Sequence, residues 1–444
     1  MAREQHRHGL PSLRIGAALV SAGLALIALI AAAIAWSRPG SFDPTFSGNG
    51  IAFTGFKPGG QGSAYSRCMA VQSNGRIVIA GSVAGATNGD FGLARFRRSG
   101  RLDASFGDGG TVRIDFGGDD VAYDVAVQRD GRIVVAGASY AEGGELEVAV
   151  TRLNPDGSLD GTFGEGGKEV LHLAGPPPGE SYASSVKVTS GGSIILGGIL
   201  SPNPDSDDRG FVARLKPGGD LDSSFGDGGI KRLRFRGFDF GAPVYNLVLE
   251  RGARIALVGA AFARRSAAAA IARLKLGSGH YDRSFSRDGR KTLIEGWYFS
   301  SIARAGRGAL VAAGTTGDDM LVARVKGSGR LDRSFAGDGT KVTRAGFGQS
   351  VYDVGASGVV MQGDGKPVVA ATVGPYPNRP AVVRLGRRGR LDHSFAGDGS
   401  KLIGIRGQSG EVALQANGKI LLSGDARPKA FVARLENDAL PGGG

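Results

Sequence analysis

Leu102–Gly157 reads LDASFGDGGTVRIDFGGDDVAYDVAVQRDGRIVVAGASYAEGGELEVAVTRLNPDG and is the clearest copy of a unit that recurs along the chain. The unit opens on a strict core of Asp, any residue, Ser or Thr, Phe, any three residues and Gly. This core begins at Asp43, Asp103, Asp160, Asp222, Asp282, Asp332 and Asp392, with spacings of 60, 57, 62, 60, 50 and 60 residues. A second mark, an arginine flanked by apolar residues, stands at Arg95, Arg152, Arg214, Arg273, Arg324, Arg384 and Arg434. The first six of these precede the next Asp by 8 residues, or by 9 at Arg273, whereas the distance from Asp forward to Arg runs from 42 to 54. One half of the unit is therefore a rigid corner, and the other half carries loops of variable length.

Within the unit the order is corner, short strand such as Thr111 to Phe116, Gly/Asp turn, apolar run such as Tyr123 to Gln128, tight turn, second run such as Arg132 to Gly137, variable loop, and Arg strand. That is four strands. The tight turn is Asn74-Gly75, Asp130-Gly131, Asp364-Gly365 and Asn417-Gly418 in four copies. Asn-Gly and Asp-Gly are the strongest short hairpin signals, and they predict a two-residue turn with both residues at positive φ. Gly191-Gly192, Gly252-Ala253 and Arg307-Gly308 are looser versions. Runs such as Ile77-Val78-Ile79-Ala80 and Ile194-Ile195-Leu196 are apolar without alternation, so their strands are expected to be covered on both faces. Seven four-stranded sheets of about 60 residues, each packed between two neighbours, describe an all-β, seven-bladed β-propeller.

The chain has 444 residues, 77 of them Gly and only 18 Pro, with 41% apolar residues, which marks a turn-dense folded protein and not a disordered one. Three divisions are expected: an export segment over 1–36, the propeller over 37–436 and a flexible tail over 437–444. In the first, Arg3, Arg7 and Arg14 precede an uncharged run from Ile15 to Trp36, which predicts a hydrophobic helix engaging the membrane with its basic end in the cytoplasm. Ala33-Ile34-Ala35 offers a cleavage site, and 22 residues also suffice for an anchor, so both a secreted and a membrane-anchored propeller outside the cytoplasm fit. The single Cys68 reads as a small apolar strand residue.

LDASFGDGG, then AYDVAVQRDGRIVVAG, then the ARL-type strand resemble the delta-60 repeat, a bacterial repeat family of about this period, from Phe42 to Leu435. The resemblance implies an exported or surface protein of propeller type and implies no enzymatic activity. The fifth unit, shortened to 50 residues with Ala309-Leu310 in its hairpin, and the fourth, with Ala253 at the turn glycine, depart from the pattern.

No catalytic, cofactor or metal residues are assigned. His172, His280 and His393 fall at different points of their units and assemble no triad. Asn154 to Asp160 resembles a calcium loop, but its counterparts in the other units lack the acidic ligands, and Asp with Ser/Thr holding a tight turn explains the corners better. Charge is uneven. From Arg251 to Arg307, twelve Lys or Arg stand against Asp282, Asp288 and Glu295, an excess of nine. Arg251, Arg254, Arg264, Arg265, Arg287, Arg290 and Lys291 form a candidate basic patch for an anionic cell-envelope polymer, the bland alternative being a solvated face. The expectation is a non-catalytic binding or structural module of the bacterial cell envelope, whose partner is such a polymer or another surface protein. A propeller-borne hydrolase or lyase acting on an extracellular polymer is the competing class.

Two geometric expectations follow from the unit. Each buried Arg should pair with the Asp of the following corner. Because the first corner has no Arg strand before it and the last Arg strand has no corner after it, the Ile51 to Phe56 strand should pair with Phe431 to Leu435 and close the ring. An arrangement in which each corner strand joins the hairpin that follows it needs no such exchange.

Overall fold

A computed structural model describes residues 38–438 apart from 57–63, 85–87, 141–143, 175–178, 202–208, 239–240, 265, 296, 346, 348–352 and 376. The expected export helix over 1–36 lies outside the described residues, among which no helix is long and apolar enough to cross a membrane.

Seven four-stranded antiparallel sheets form the seven blades of a propeller. Blade 1 shows the plan. After β1 (Ile51–Thr54), which belongs elsewhere, the chain makes β2 (Ala64–Val71), β3 (Ile77–Ala84), β4 (Gly89–Phe96) and β5 (Thr111–Ile114), paired in that order. The counterparts of β2 in successive blades pack on one another around the ring and line its centre. Those of β3 and β4 are buried on both faces, as the unbroken apolar runs require. Apolar clusters sit between neighbouring blades. One joins Val134 and Val150 of blade 2 to Leu196 and Phe211 of blade 3.

Ring closure follows the first of the two arrangements. β1 pairs antiparallel with Lys429–Leu435, matching Ile51 to Ala433 and Phe53 to Phe431, so the seventh blade takes its outermost strand from the start of the propeller. The edge that Lys429–Leu435 would otherwise expose is thereby covered, and β1 becomes the outermost strand of the blade.

The inner strands differ from expectation at one place. Asp120–Val127 starts three residues before the predicted Tyr123 because a β-bulge, between Ala122 and Asp124, breaks the alternation there. A bulge recurs at this level in all seven blades. The hairpin turns also differ. At Asn74-Gly75 only the glycine has positive φ, 78°; Gly75 N–H bonds Gln72 O, and Asn74 Oδ1 accepts the N–H of Arg76 at 3.0 Å. The loop is thus a type I turn closed by a glycine bulge, and the Asx side chain substitutes for one turn bond. Both central residues are positive only in the fourth and fifth units, at Gly252-Ala253 and Arg307-Gly308.

Candidate anionic-ligand site between blades 4 and 5

The corner sets the frame of the site. In every copy the Asp Oδ1 accepts its own Ser/Thr hydroxyl two residues on, at 2.7–2.9 Å, fixing the turn. The preceding Arg then bridges three structures at once. Its Nε meets the Asp Oδ2 at 2.6–2.9 Å in all seven copies, from Arg95–Asp103 through Arg384–Asp392 to Arg434–Asp43 across the closure. A second nitrogen donates to the Ser/Thr hydroxyl at 2.6–3.2 Å. The guanidinium lies 4.5–5.1 Å from the centre of the corner Phe ring, a cation–π stack shielded from water. Its third nitrogen reaches into the next blade, to the carbonyls of Pro155, Pro217, Leu276, Gly327 and Arg387, to Asn437 Oδ1, and to the Arg98 carbonyl. Asn437 therefore completes this ring, and Asp438 pairs with Lys366 and Arg384, so these first two residues of the expected tail are held in place; 439–444 lie outside the described residues.

All seven Asp carboxyls lie below their ordinary range, Asp43 at about 2. Burial opposes ionisation at most of them, and the Ser/Thr and Arg contacts outweigh it. The set is thus a structural rivet, in which each Arg is paired with its Asp carboxylate, its Ser/Thr hydroxyl and an oxygen of the next blade. The Asn154–Asp160 loop is likewise satisfied internally, Asp156 Oδ1 accepting the N–H and hydroxyl of Ser158.

Above each rivet the residue that leads from the hairpin turn into the second strand usually adds a cation: Arg76, Arg132, Arg254, Lys366 and Lys419 meet the corner Asp at 2.5–3.0 Å. In the fifth unit that position is Ala309. The missing side chain, together with Gly306, Gly308 and Gly327, leaves a cavity of about 830 Å³ between blades 4 and 5. Arg251, Arg254, Arg304 and Arg307 line it, with Glu250 at the floor. Glu250 takes the place held by Gln72, Gln128, Gln362 and Gln415 in other units. Burial raises its carboxyl pKa against the pull of Arg273, Arg254 and Arg304, and its Oε2 sits 4.0 Å from Arg273 Nε. Arg254 is held by Asp282, whereas Arg251 and Arg307 are exposed and make no hydrogen bond or ion pair among the described residues.

Of the seven patch residues, the fold brings only Arg251 and Arg254 into this cavity. Arg264 follows the far end of the ten-residue strand Arg254–Ala263, roughly 30 Å away. Arg265 lies outside the described residues. Arg290 is used structurally: it pairs with Asp288 at 3.0 Å, bonds the Arg234 carbonyl at 2.9 Å and stacks on Tyr281. Arg287 stands exposed in the corner, and Lys291 faces Ile271 across the sheet. Arg304 and Arg307 fall within the basic sector from Arg251 to Arg307 but not among the seven nominated residues, and the signal that singles them out is Ala309 in the irregular unit. His172 pairs with Glu147, while His280 and His393 are exposed in separate blades, so the three do not meet. Cys68 is buried, and burial with the nearby Asp124 and Glu411 charges pushes its thiol well up, as suits an inert strand residue.

Among solved structures, a glucose dehydrogenase is 12% identical over 84% of this chain and 97% of its own, with a TM-score of 0.42. Sqt1 from Chaetomium thermophilum is 13% identical over 85% and 97%, TM-score 0.42, and the polysaccharide lyase Uly1 is 10% identical over 84% and 90%, TM-score 0.46. Likenesses this distant say nothing of activity. No curated protein matches the chain. A family model does: the β-propeller domain of unknown function DUF5122 matches residues 72–106, 128–163 and 190–225, and each match runs from a hairpin turn through the Arg strand to the next corner.

Proposed function

We propose that this protein is a non-catalytic, exported binding propeller of the cell envelope, built of delta-60 repeats, whose blade 4/5 cavity takes an anionic polymer. The observation that carries the reading is the convergence of Arg251, Arg254, Arg304 and Arg307 on one cavity, with Arg254 alone holding a carboxylate partner. Arginine left exposed and unpaired is suited to carboxylate, sulfate or phosphate groups, which its planar fork contacts through two parallel hydrogen bonds. A cavity of about 830 Å³ open along the rim admits a few residues of a chain passing through it. Export is supported by the basic residues Arg3, Arg7 and Arg14 ahead of the uncharged run to Trp36.

The test is titration calorimetry of the purified propeller with dextran sulfate and polyphosphate, against neutral dextran. Binding to both polyanions should weaken roughly tenfold to a hundredfold between about 50 and 200 mM salt and should be largely lost in the Arg251→Ala, Arg307→Ala double variant. Equal binding of neutral dextran, or full retention in the double variant, would remove the cavity from consideration. Turnover of any such polymer that tracks the purified protein would overturn the non-catalytic reading.

A further inference from the structure

On the face opposite the corners, the connector from blade 1 to blade 2 reads Asp115-Phe116-Gly117-Gly118-Asp119-Asp120. It is drawn tightly against the second blade: a side chain at Gly118 would collide with the Tyr140 carbonyl. The connector thereby delivers Asp115 and Asp120 to Asp90 at the start of β4, and one carboxylate oxygen from each of the three lies within 4.8 Å of the others. Asp90 and Asp120 are almost wholly buried, at 1% and 0% exposure, while Asp115 is open to solvent.

The surroundings do not neutralise this charge. Arg113 pairs with Asp90, and Lys168 spends its ammonium on the Asp115 carbonyl and over the Phe116 ring. Asp119 adds a fourth carboxylate, which accepts the Gly89 N–H at 2.6 Å. Asp120 takes one N–H, from Phe116, on Oδ2; its Oδ1 is buried and accepts no hydrogen bond of ordinary geometry, with the Ser139 hydroxyl standing nearby. A buried carboxylate oxygen without a donor, beside two more carboxylates, is unfavourable for a bare protein and favourable for one that holds a cation.

We propose that Asp90, Asp115 and Asp120 form a Ca²⁺ site that ties blade 1 to blade 2. All the ligands are hard oxygens, and Ca²⁺ accepts six to eight of them in irregular geometry, whereas Mg²⁺ demands a near-ideal octahedron. The open side at Asp115 leaves room for water ligands. A site with three carboxylates and an arginine close by should be of the weak, extracellular kind, with a Kd on the order of 10⁻⁴–10⁻³ M.

The experiment uses the full chain after removal of metal with EDTA, titrated with Ca²⁺ or Mg²⁺ alone and followed by calorimetry and thermal melting. Ca²⁺ should bind with one site per chain and raise Tm, and Mg²⁺ at equal concentration should do so at least roughly tenfold less well. Asp115→Asn retains the turn bond to Gly117 and leaves the core untouched, and it should weaken Ca²⁺ binding by roughly tenfold or more. Asp120→Asn removes a buried charge, so its metal-free melting temperature should match or exceed that of the parent while its Ca²⁺ response disappears. No heat or Tm shift up to about 10 mM Ca²⁺, or an undiminished response in both variants, would overturn the proposal.

Discussion

Two rings join blade to blade, and they solve the same problem differently. At the corner face each blade reaches its neighbour through one arginine set, repeated seven times, to a backbone carbonyl in six copies and to Asn437 Oδ1 in the other. At the inner bulges each blade also reaches its neighbour, but the means change around the circle. Arg67 lies over the Tyr123 ring, Tyr123 stacks on Tyr182, Ser184 bonds the Val244 carbonyl, and Tyr245 meets Tyr298 edge to face. Ser300 then bonds the Ala356 carbonyl, Ser357 meets the Ser409 hydroxyl, and Gly410 has no side chain because the Arg67 carbonyl fills its place. The difference is one of burial. A guanidinium and a carboxylate removed from water tolerate only a geometry that satisfies nearly every donor and acceptor, so one residue set fits. At the bulges, which line the centre of the ring, several side chains of different chemistry can span the same gap.

If the corner ring carries the fold, its closure should be the most sensitive point. Deleting residues 41–56 removes β1 and also Asp43, which receives Arg434 at 2.6 Å and Lys419 at 2.5 Å. The variant should lose cooperative melting and aggregate through the freed edge of Lys429–Leu435, as read by calorimetry and light scattering. An unchanged melting curve without added aggregation would mean that the ring does not depend on the shared blade.

Single corners come next, and they should be graded by burial. Arg95 and Asp103 have side chains 2% and 1% exposed, whereas Arg214 and Asp222 are 11% and 21% exposed. Arg95→Ala should cost about 3–5 kcal/mol in urea unfolding, and Arg214→Ala less than half of that. In double-mutant cycles the Arg95/Asp103 pair should show coupling of at least about 1 kcal/mol. Additive losses at both pairs would reduce the rivets to coincidence.

The corners were legible in the sequence because their chemistry is unforgiving: Asp, Ser/Thr, Phe and Gly recur at fixed offsets, and the Arg follows from the same geometry. The bulges were not legible, since no residue type marks them, and a bulge erases the alternation by which a strand is recognised, as at Tyr123. The blade 4/5 cavity was half legible. Excess charge located Arg251 and Arg254 but equally nominated Arg264 and Arg290, because a charge count cannot tell which end of a strand a residue occupies or whether it is already bonded. The Asp90 cluster was invisible for a similar reason, its members being brought together across two blades.

A milder perturbation concerns the inner ring. Glu411 lies within the last bulge, between Ser409 and Val412, and burial, with the Asp124 charge adding and Lys187 opposing, raises its carboxyl to about 8. A raised folded pKa means that the folded protein holds a proton the unfolded chain has released, so this group favours folding below about 4.5 and that contribution is lost as pH rises through about 8. The corner Asp groups have the opposite sign. Their lowered pKa values stabilise the fold above about 3.8, and that contribution is lost as pH falls toward about 2 at Asp43. Stability measured in EDTA should therefore peak at mildly acidic pH. Glu411→Gln should flatten the decline between about 5 and 8 and leave the acid limb unchanged. An unaltered decline would show that Glu411 does not set it.

The smallest expected effect separates the folding face from the binding cavity within a single turn. Arg307 sits at φ 60°, where a residue with a side chain is strained by about 1 kcal/mol, and its guanidinium has no partner among the described residues. Strain at an exposed turn brings the fold no contact, so Arg307 contributes to the molecule chiefly through the charge it presents to solvent. Arg307→Gly relieves that strain while making the unfolded chain more flexible, and the two effects oppose each other at similar size. Net stability should stay within about 0.5 kcal/mol of the parent, in contrast to the several kcal/mol expected at Arg95. Polyanion affinity should fall severalfold in Arg307→Gly and hold nearly constant in Arg307→Lys, which keeps the charge. If Arg307→Gly bound dextran sulfate and polyphosphate as tightly as the parent, Arg307 would be no part of a ligand site.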